Sequence, residues 1–322
     1  MFFLLSLSVP AMANTRWHGH VSGGNWQNNP ISVSEAEPSV ASFESGAAER
    51  LQKAIDQLKE IKDQNESVEK QIVQAQENLE RLRAVSSALH GRYLLVNIPD
   101  FRLQLIENSK VIMTMRVVLG STARPSPTFD SIMTHLVFSP QWNVPHAIAI
   151  NDKLPLLKQD QHYLQKQGMK LYEEKVNQDG KMVEVDPLSI KWKEVSADNF
   201  PYRIVQDPSD LNSLGHVKFM FPNSNDVYMH DTPQKNFFKY AIRAFSSGCL
   251  RIEKPIDLAE YLLHDKSAWN RTAIISAMQT DIPKEVTLTN SIPIHVTYIT
   301  AWVDENDQLQ LRPDVYGKDS SH

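Results

Sequence analysis

The chain holds a single cysteine, Cys249, in the turn Ser246-Ser247-Gly248-Cys249-Leu250-Arg251, and a histidine, His230, stands upstream at the head of His230-Asp231-Thr232-Pro233. A thiol becomes a useful nucleophile near neutral pH when an imidazole takes or shares its proton. Cys249 and His230 are therefore the candidate nucleophile and base. Gly248 adds a third element. A glycine directly before the nucleophile lets main-chain N–H groups turn toward one point, which stabilises the oxyanion of a tetrahedral intermediate. Together they read as a site for acyl transfer.

The elements that must position this pair are mostly strands. His230 closes a predicted strand, 227–230, which follows another at 216–221 across a Pro-Asn-Ser-Asn-Asp turn. Upstream, 93–98, 101–106 and 111–119 are rich in β-branched and aromatic residues. Pro99-Asp100 and Asn108-Ser109 supply the turns between them. Residues 154–194 have a different texture, with leucines spaced by charged and amide residues. They predict short helices and a small hairpin at Asp179-Gly180, inserted between strands. Residues 256–263 are helical, with Pro255 suited to the first turn. The C-terminal part returns to strands at 292–303 and 309–311. The expected fold class is mainly β with α, carrying a helical insertion and an N-terminal helix.

The first 90 residues differ. Phe2–Val9 is an apolar run followed by Ala11-Met12-Ala13, too short to span a bilayer and shaped like a secretory signal over 1–13. Residues 14–48 are polar and read as a flexible segment; their His18-Gly19-His20 is solvated in this reading. Over 49–90, apolar residues recur in steps of three and four at Leu51, Ile55, Leu58 and Ile61, then at Val68, Ile72, Ala75, Leu79, Leu82 and Leu89, with Asn65 in the seam. This predicts a long amphipathic helix. It either forms a coiled coil or hairpin that takes a homodimer or protein partner, or lies on its own catalytic domain. Net charge is −5, which argues against a nucleic-acid partner. Export to an oxidising compartment sharpens the meaning of Cys249: an unpaired thiol kept there is either buried and inert or chemically used.

The order of the pair is informative. Papain-like hydrolases place the cysteine first. Sortases run His, Cys, Arg, and Arg251 fits that order, but they carry a threonine-rich strand up to the cysteine and a longer His–Cys separation. The residues instead resemble the L,D-transpeptidase (YkuD-type) catalytic domain, in its Gram-negative subclass with a substrate-capping insertion. The motif of that family is a histidine, then Ser-His-Gly-Cys followed by Arg or Asn. Here Ser247 stands in place of the second histidine, as in many of the larger Gram-negative members. The resemblance extends through "GRYLLVNIPDFRLQL" from Gly91, "VVLGSTARPSPTF" from Val117, "FSPQWNVPHAIAINDKLP" from Phe138, "NSLGHVKFMFPN" from Asn212, "VYMHDTP" from Val227 and "TYITAWVDENDQLQLRPDVYG" from Thr297. It covers 91–317, with the cap at about 154–194, and implies a β-sandwich-like domain.

The resemblance further implies a periplasmic enzyme that attacks peptidoglycan tetrapeptide stems. Cys249 displaces D-alanine to form a thioester, and a neighbouring diaminopimelate amine resolves it to a 3→3 cross-link. His230 acts as base and then acid, and the Gly248 and Cys249 amides form the oxyanion hole. Arg251 contacts the stem carboxylate or braces the loop, against the simpler reading of an ion pair with Glu253. Tyr228 shares a strand face with His230 and either lines the donor pocket or packs. Ser246 and Ser247 hold the loop. Asp231 caps the Thr232-Pro233 turn or orients the imidazole. Arg243 faces solvent or meets substrate carboxylates, and Trp142 is a core or pocket-wall aromatic. The implied chemistry uses no cofactor and no metal, and carbapenems are implied covalent inhibitors. Two other functions stay open: a hydrolase of the same fold that trims stems or cuts cross-links, and a scaffold that works through its helix. No separate peptidoglycan-binding module is legible ahead of the domain.

Overall fold

The computed structural model describes residues 43, 45–61, 65–177 and 180–319. The expected signal sequence, all of the polar segment but Phe43 and Ser45–Ala48, and the His18/His20 pair lie outside the described residues, as does Asp179 of the expected hairpin turn. The chain divides into two compact units.

The first unit comprises the described residues up to Ser87 together with Thr300–Arg312. The helical stretch expected over 49–90 is two helices, α1 (Ala47–Lys59) and α2 (Glu66–Ser86), packed together as in the hairpin alternative. Asn65 explains the break. It is not a seam residue but the N-cap of α2, in an extended conformation, with its side chain accepting a hydrogen bond from the Val68 amide at 3.1 Å. That geometry satisfies an N-terminal donor that a continuous helix would not have exposed. On their apolar face, Leu51, Ile55 and Ala75 are fully buried in the folded chain. Asn78 on α2 donates to the Thr300 hydroxyl at 2.7 Å and accepts from the Thr300 amide at 2.8 Å. Phe43 packs edge-on against Trp302. These contacts draw the strand pair 301–303/309–311 into this unit, although the sequence places it with the catalytic domain.

The second unit, Ala88–Ile299 with Pro313–His322, is built on a nine-stranded sheet. Its strands are β1 (Arg92–Asn97), β2 (Arg102–Glu107), β3 (Lys110–Gly120), β4 (Phe129–Phe138), β9 (Val217–Met220), β10 (Met229–His230), β11 (Ala244–Ser246), β12 (Leu250–Ile252) and β13 (Lys284–Thr297). They run in the order β11-β3-β12-β10-β9-β4-β13-β1-β2, and β2 pairs again with β3. The sheet thus closes on itself like a barrel. The β2–β3 hairpin turns at Asn108-Ser109, both with positive φ (49° and 62°), the conformation that matches the twist of the flanking strands. Alternate residues Leu94, Val96, Val117, Leu119, Phe219, Met229, Leu250 and Ile252 fill the core. Helices α6 (Pro255–Leu262) and α7 (Arg271–Ala277) add Leu258, Leu262 and Ile274 to it.

The insertion runs beyond 154–194 on both sides and holds a small sheet as well as short helices. Between β4 and β9 lie β5 (Trp142–Asn143), α3 (His146–Ile148), a π-helical turn 149–153, α4 (Leu154–Gln159), α5 (Tyr163–Lys166), β6 (Met169–Val176), β7 (Met182–Val185) and β8 (Tyr202–Gln206). The four strands pair in the order β5-β8-β6-β7. The insertion has its own apolar cluster, including Trp142, Leu157, Leu171, Trp192, Phe200, Ile204 and Leu214, with Tyr228 packed against it.

Candidate active site

Cys249 sits in the tight turn between β11 and β12, and its register partner across the sheet is the segment leading into β10. β10 and β12 are parallel, with Met229 opposite Leu250 and His230 opposite Arg251. Met229 and Leu250 point into the core. Side chains alternate across a strand, so Tyr228, His230, Cys249 and Arg251 share the opposite face, against which the insertion packs. The pair separated in sequence is brought onto adjacent strands by this one parallel ladder.

The turn is fixed by a chain of hydroxyls. Ser246 Oγ donates to the Cys249 carbonyl at 2.7 Å and accepts from the Gly248 amide at 3.1 Å. The Gly248 amide is therefore engaged inside the loop, and the expected oxyanion hole loses that donor; the Cys249 amide is the donor of the pair that remains. Gly248 has φ +118°, where an added Cβ would meet only the Pro125 carbonyl at 3.8 Å. Its requirement for glycine is conformational, not steric. Behind the loop, Ser126 Oγ donates to the Gly248 carbonyl at 2.7 Å and accepts from the Gly120 amide at 2.9 Å. Tyr316 closes the arrangement, its hydroxyl donating to the Gly120 carbonyl at 2.6 Å and accepting from the Ser126 amide at 3.2 Å. Gly120 tolerates no side chain, since a Cβ would lie 2.2 Å from the Arg124 carbonyl. Ser126, Gly120 and Tyr316 were invisible as site residues in the sequence, because a lone Ser, Gly or Tyr carries no spacing signal. Ser247, the position of the family's second histidine, is exposed.

His230 is buried, and its Nδ1 is hydrogen-bonded to the main-chain carbonyl of Asp231. A carbonyl only accepts, so Nδ1 carries the proton and Nε2 is the basic nitrogen. Burial, reinforced by the nearby Arg251 guanidinium, pulls the imidazole down to about 3, against the carbonyls of Asp231 and Leu214 that favour its charged form. Burial likewise pushes the Cys249 thiol up, opposed by the Tyr228 main-chain amide and by Arg251. The resting pair is thus neutral thiol and neutral imidazole, not a thiolate–imidazolium ion pair.

The Asp231 side chain neither orients the imidazole nor caps the following turn. Its carboxylate accepts from the His216 amide at 3.0 Å and pairs with Lys235. Gly215, with φ +62°, lets the chain pass so closely that a Cβ would lie 2.4 Å from that carboxylate. The turn is held by Thr232 Oγ1, which accepts from the Gln234 amide at 3.2 Å. Arg251 does not pair with Glu253, which is engaged by Arg116. Instead Arg251 Nη1 donates to Gln234 at 2.6 Å, while its buried Nε has no partner. Arg243 is neither solvated nor free for substrate: it is buried, donating to the carbonyls of Val117, Tyr240 and Phe101. The Tyr228 ring lies 5.7 Å from that of His230, its hydroxyl faces the Trp142 indole, and burial raises its pKa.

The profile of the L,D-transpeptidase catalytic domain (YkuD) matches residues 91–280. A Haemophilus influenzae protein named "Putative L,D-transpeptidase" is 33% identical over 242 residues, which cover 75% of this chain and 47% of that protein. The chain therefore spans about half the length of this curated relative. Among solved structures, an L,D-transpeptidase from Mycobacterium smegmatis aligns over 64% of this chain and 58% of its own, at 14% identity and TM-score 0.30. The catalytic domain of an E. faecium L,D-transpeptidase, acylated by ertapenem, aligns over 65% and 98%, at 10% identity and TM-score 0.28. On the profile match across more than half its length, the chain belongs to the L,D-transpeptidase catalytic-domain family.

Proposed function

We propose that the chain is a cysteine acyltransferase that forms 3→3 cross-links between peptidoglycan tetrapeptide stems in the periplasm. The observation that carries this reading is the placement of a partly accessible Cys249 at the head of the strand parallel to that of His230, a buried imidazole whose Nδ1 is committed to a carbonyl, leaving Nε2 to take a proton.

The resting state dictates the order of events. Both partners are neutral, so the thiol proton passes to His230 Nε2 as Sγ attacks the carbonyl carbon of the third stem residue. The oxyanion that forms faces the Cys249 amide. The C–N bond then breaks, and the imidazolium returns its proton to the departing amine of D-alanine. The products of this half-reaction are a Cys249 thioester and free D-alanine. In the second half, an amine of a neighbouring stem attacks the thioester, His230 takes its proton, the C–S bond breaks, and the thiol is re-formed. Burial that depresses the histidine makes its conjugate acid strong, which favours protonation of the leaving amine. Arg251, held by Gln234, braces the turn two residues beyond the nucleophile. The same thiol is the position that a carbapenem would acylate. The apolar leader at Phe2–Val9 supports export.

Incubation with a disaccharide-tetrapeptide, read by mass spectrometry beside a Cys249→Ala control, tests the reading. A Cys249-dependent dimer lacking one D-alanine is the expected product. Tripeptide alone would replace the transferase with a hydrolase of the same site. Absence of any Cys249-dependent product would remove the enzymatic reading in favour of a scaffold.

A further inference from the structure

The row of residues that contains His230 continues beyond it. Across β9, β10 and β12 the register places Lys218 opposite His230 and His230 opposite Arg251. The neighbours of Lys218 along its strand, Val217 and Phe219, fill the core, so Lys218 faces the same way as His230. By register, His230 thus lies between two cationic residues on the face covered by the insertion.

The two cations differ in their surroundings. Arg251 is committed to Gln234 and lies two residues from the nucleophile. Lys218 is half-buried, with its ammonium 5.7 Å from the centre of the Tyr228 ring, and among the described residues it makes no ion pair within 4 Å. Burial lowers its pKa, opposed only by Glu285, an exposed residue two strands away across β4. An ammonium partly removed from water without a carboxylate beside it is a site prepared for one.

The reaction geometry says which carboxylate would arrive there. His230 must protonate the departing amine, so the leaving residue lies over the imidazole. The free α-carboxylate of that residue is attached to the same carbon as the amine. Cys249 and the acyl part occupy the β12 side of His230. The departing residue therefore extends toward β9, about 4.8 Å further on, within reach of a lysine side chain. Resting on the acyl-transfer reading, we propose that Lys218 holds the free α-carboxylate of the departing C-terminal residue and so makes the site specific for stems ending directly after the bond to be broken. In a stem one residue longer, that carboxylate is an amide and the charge pairing is lost.

Binding to full chains carrying Cys249→Ala, which cannot turn over, separates this subsite from the chemistry. The probes are a synthetic tetrapeptide stem ending in D-alanine and the same peptide as its C-terminal amide, titrated by calorimetry. The acid is expected to bind about tenfold more tightly than the amide, the worth of one charge-assisted hydrogen bond. Lys218→Met should abolish that preference while leaving amide binding unchanged, and Lys218→Arg should keep most of it. A preference that survives Lys218→Met, an equal loss for both peptides, or no binding of either peptide to the Lys218 protein overturns the proposal. Turnover by chains with Cys249 intact reports on the reading beneath it. If the Lys218-dependent preference holds but no Cys249-dependent product forms, acyl transfer fails and the carboxylate site stands. If product forms but the preference ignores Lys218, the subsite alone fails.

Discussion

Replacing Ser126 with alanine removes one hydroxyl and strands two main-chain groups at once. Ser126 is fully buried, its Oγ accepting from the Gly120 amide at 2.9 Å and donating to the Gly248 carbonyl at 2.7 Å. Gly120 and Gly248 are themselves buried, so water does not replace the lost partner. A buried polar group left unsatisfied costs about 1–3 kcal/mol, and two of them sum to about 2–6 kcal/mol, centred near 4. In a domain of this size that corresponds to a fall in Tm of roughly 10 °C. The nucleophile turn loses its rear support as well, and a misplacement near 1 Å costs up to about a hundredfold in rate. Urea unfolding measures the first effect, and the rate of Cys249 acylation by a carbapenem, read by intact mass, measures the second. Ser131→Ala is the control: its hydroxyl bonds the Pro222 carbonyl at an exposed position, where a change of at most about 0.5 kcal/mol is expected. A Ser126→Ala protein within about 0.5 kcal/mol of the parent, with an unchanged acylation rate, would refute the bracing argument.

Further outcomes follow from the same geometry. His230 is held at about 3 in the folded chain, below its ordinary value near 6.5, so the unfolded chain takes up its proton first. Its contribution to stability is full above about pH 6.5 and is lost by about 1.4 kcal/mol per pH unit as pH falls toward 3. Urea midpoints between pH 7 and 4.5 should show this slope in the parent and a shallower one in His230→Gln; equal slopes would contradict it. Because burial raises the Cys249 thiol, alkylation by iodoacetamide should be slow at pH 7 and still rising above pH 8. A rate that plateaus below pH 6, as for a stable thiolate, would contradict the neutral resting pair. Gly248→Ala should cost about 1–3 kcal/mol through its backbone conformation alone. Gly120→Ala, with its Cβ 2.2 Å from a carbonyl oxygen, should cost more and fail to give a cooperatively folded chain; comparison of the two unfolding curves tests the ranking.

The candidate site was legible in the sequence because one cysteine, one histidine and a glycine turn stand there in a recognisable order. The strands around β2, β3, β9 and β10 were legible because alternation and turn residues coincide there. Asn108-Ser109 takes the positive φ values that its residue types favour. What escaped was everything held by long-range contact. β4, over Phe129–Phe138, mixes Asp, Ser, Thr and His with apolar residues and gives a weak period. Asn65 was read as a seam residue, but the chain breaks there and it caps α2. Asp231 was expected in a local role, yet its carboxylate reaches back to the His216 amide. Strands 301–303 and 309–311 continue the catalytic sequence without a break in composition, and their assignment to the helical unit depends on Asn78 and Phe43, both more than 200 positions upstream. Ser126 and Tyr316 flank the active turn from opposite ends of the domain, so no local pattern could have marked them.

Trapping the acyl-enzyme tests the central claim most directly. The chain would be mixed with a tetrapeptide stem in the absence of an acceptor amine, quenched in acid within seconds, and read by intact-protein and peptide mass spectrometry. The account predicts an adduct equal to the stem less D-alanine, located on Cys249, absent in Cys249→Ala and slowed at least a hundredfold in His230→Ala. An adduct on another residue, or stem cleavage that persists in Cys249→Ala, would contradict it.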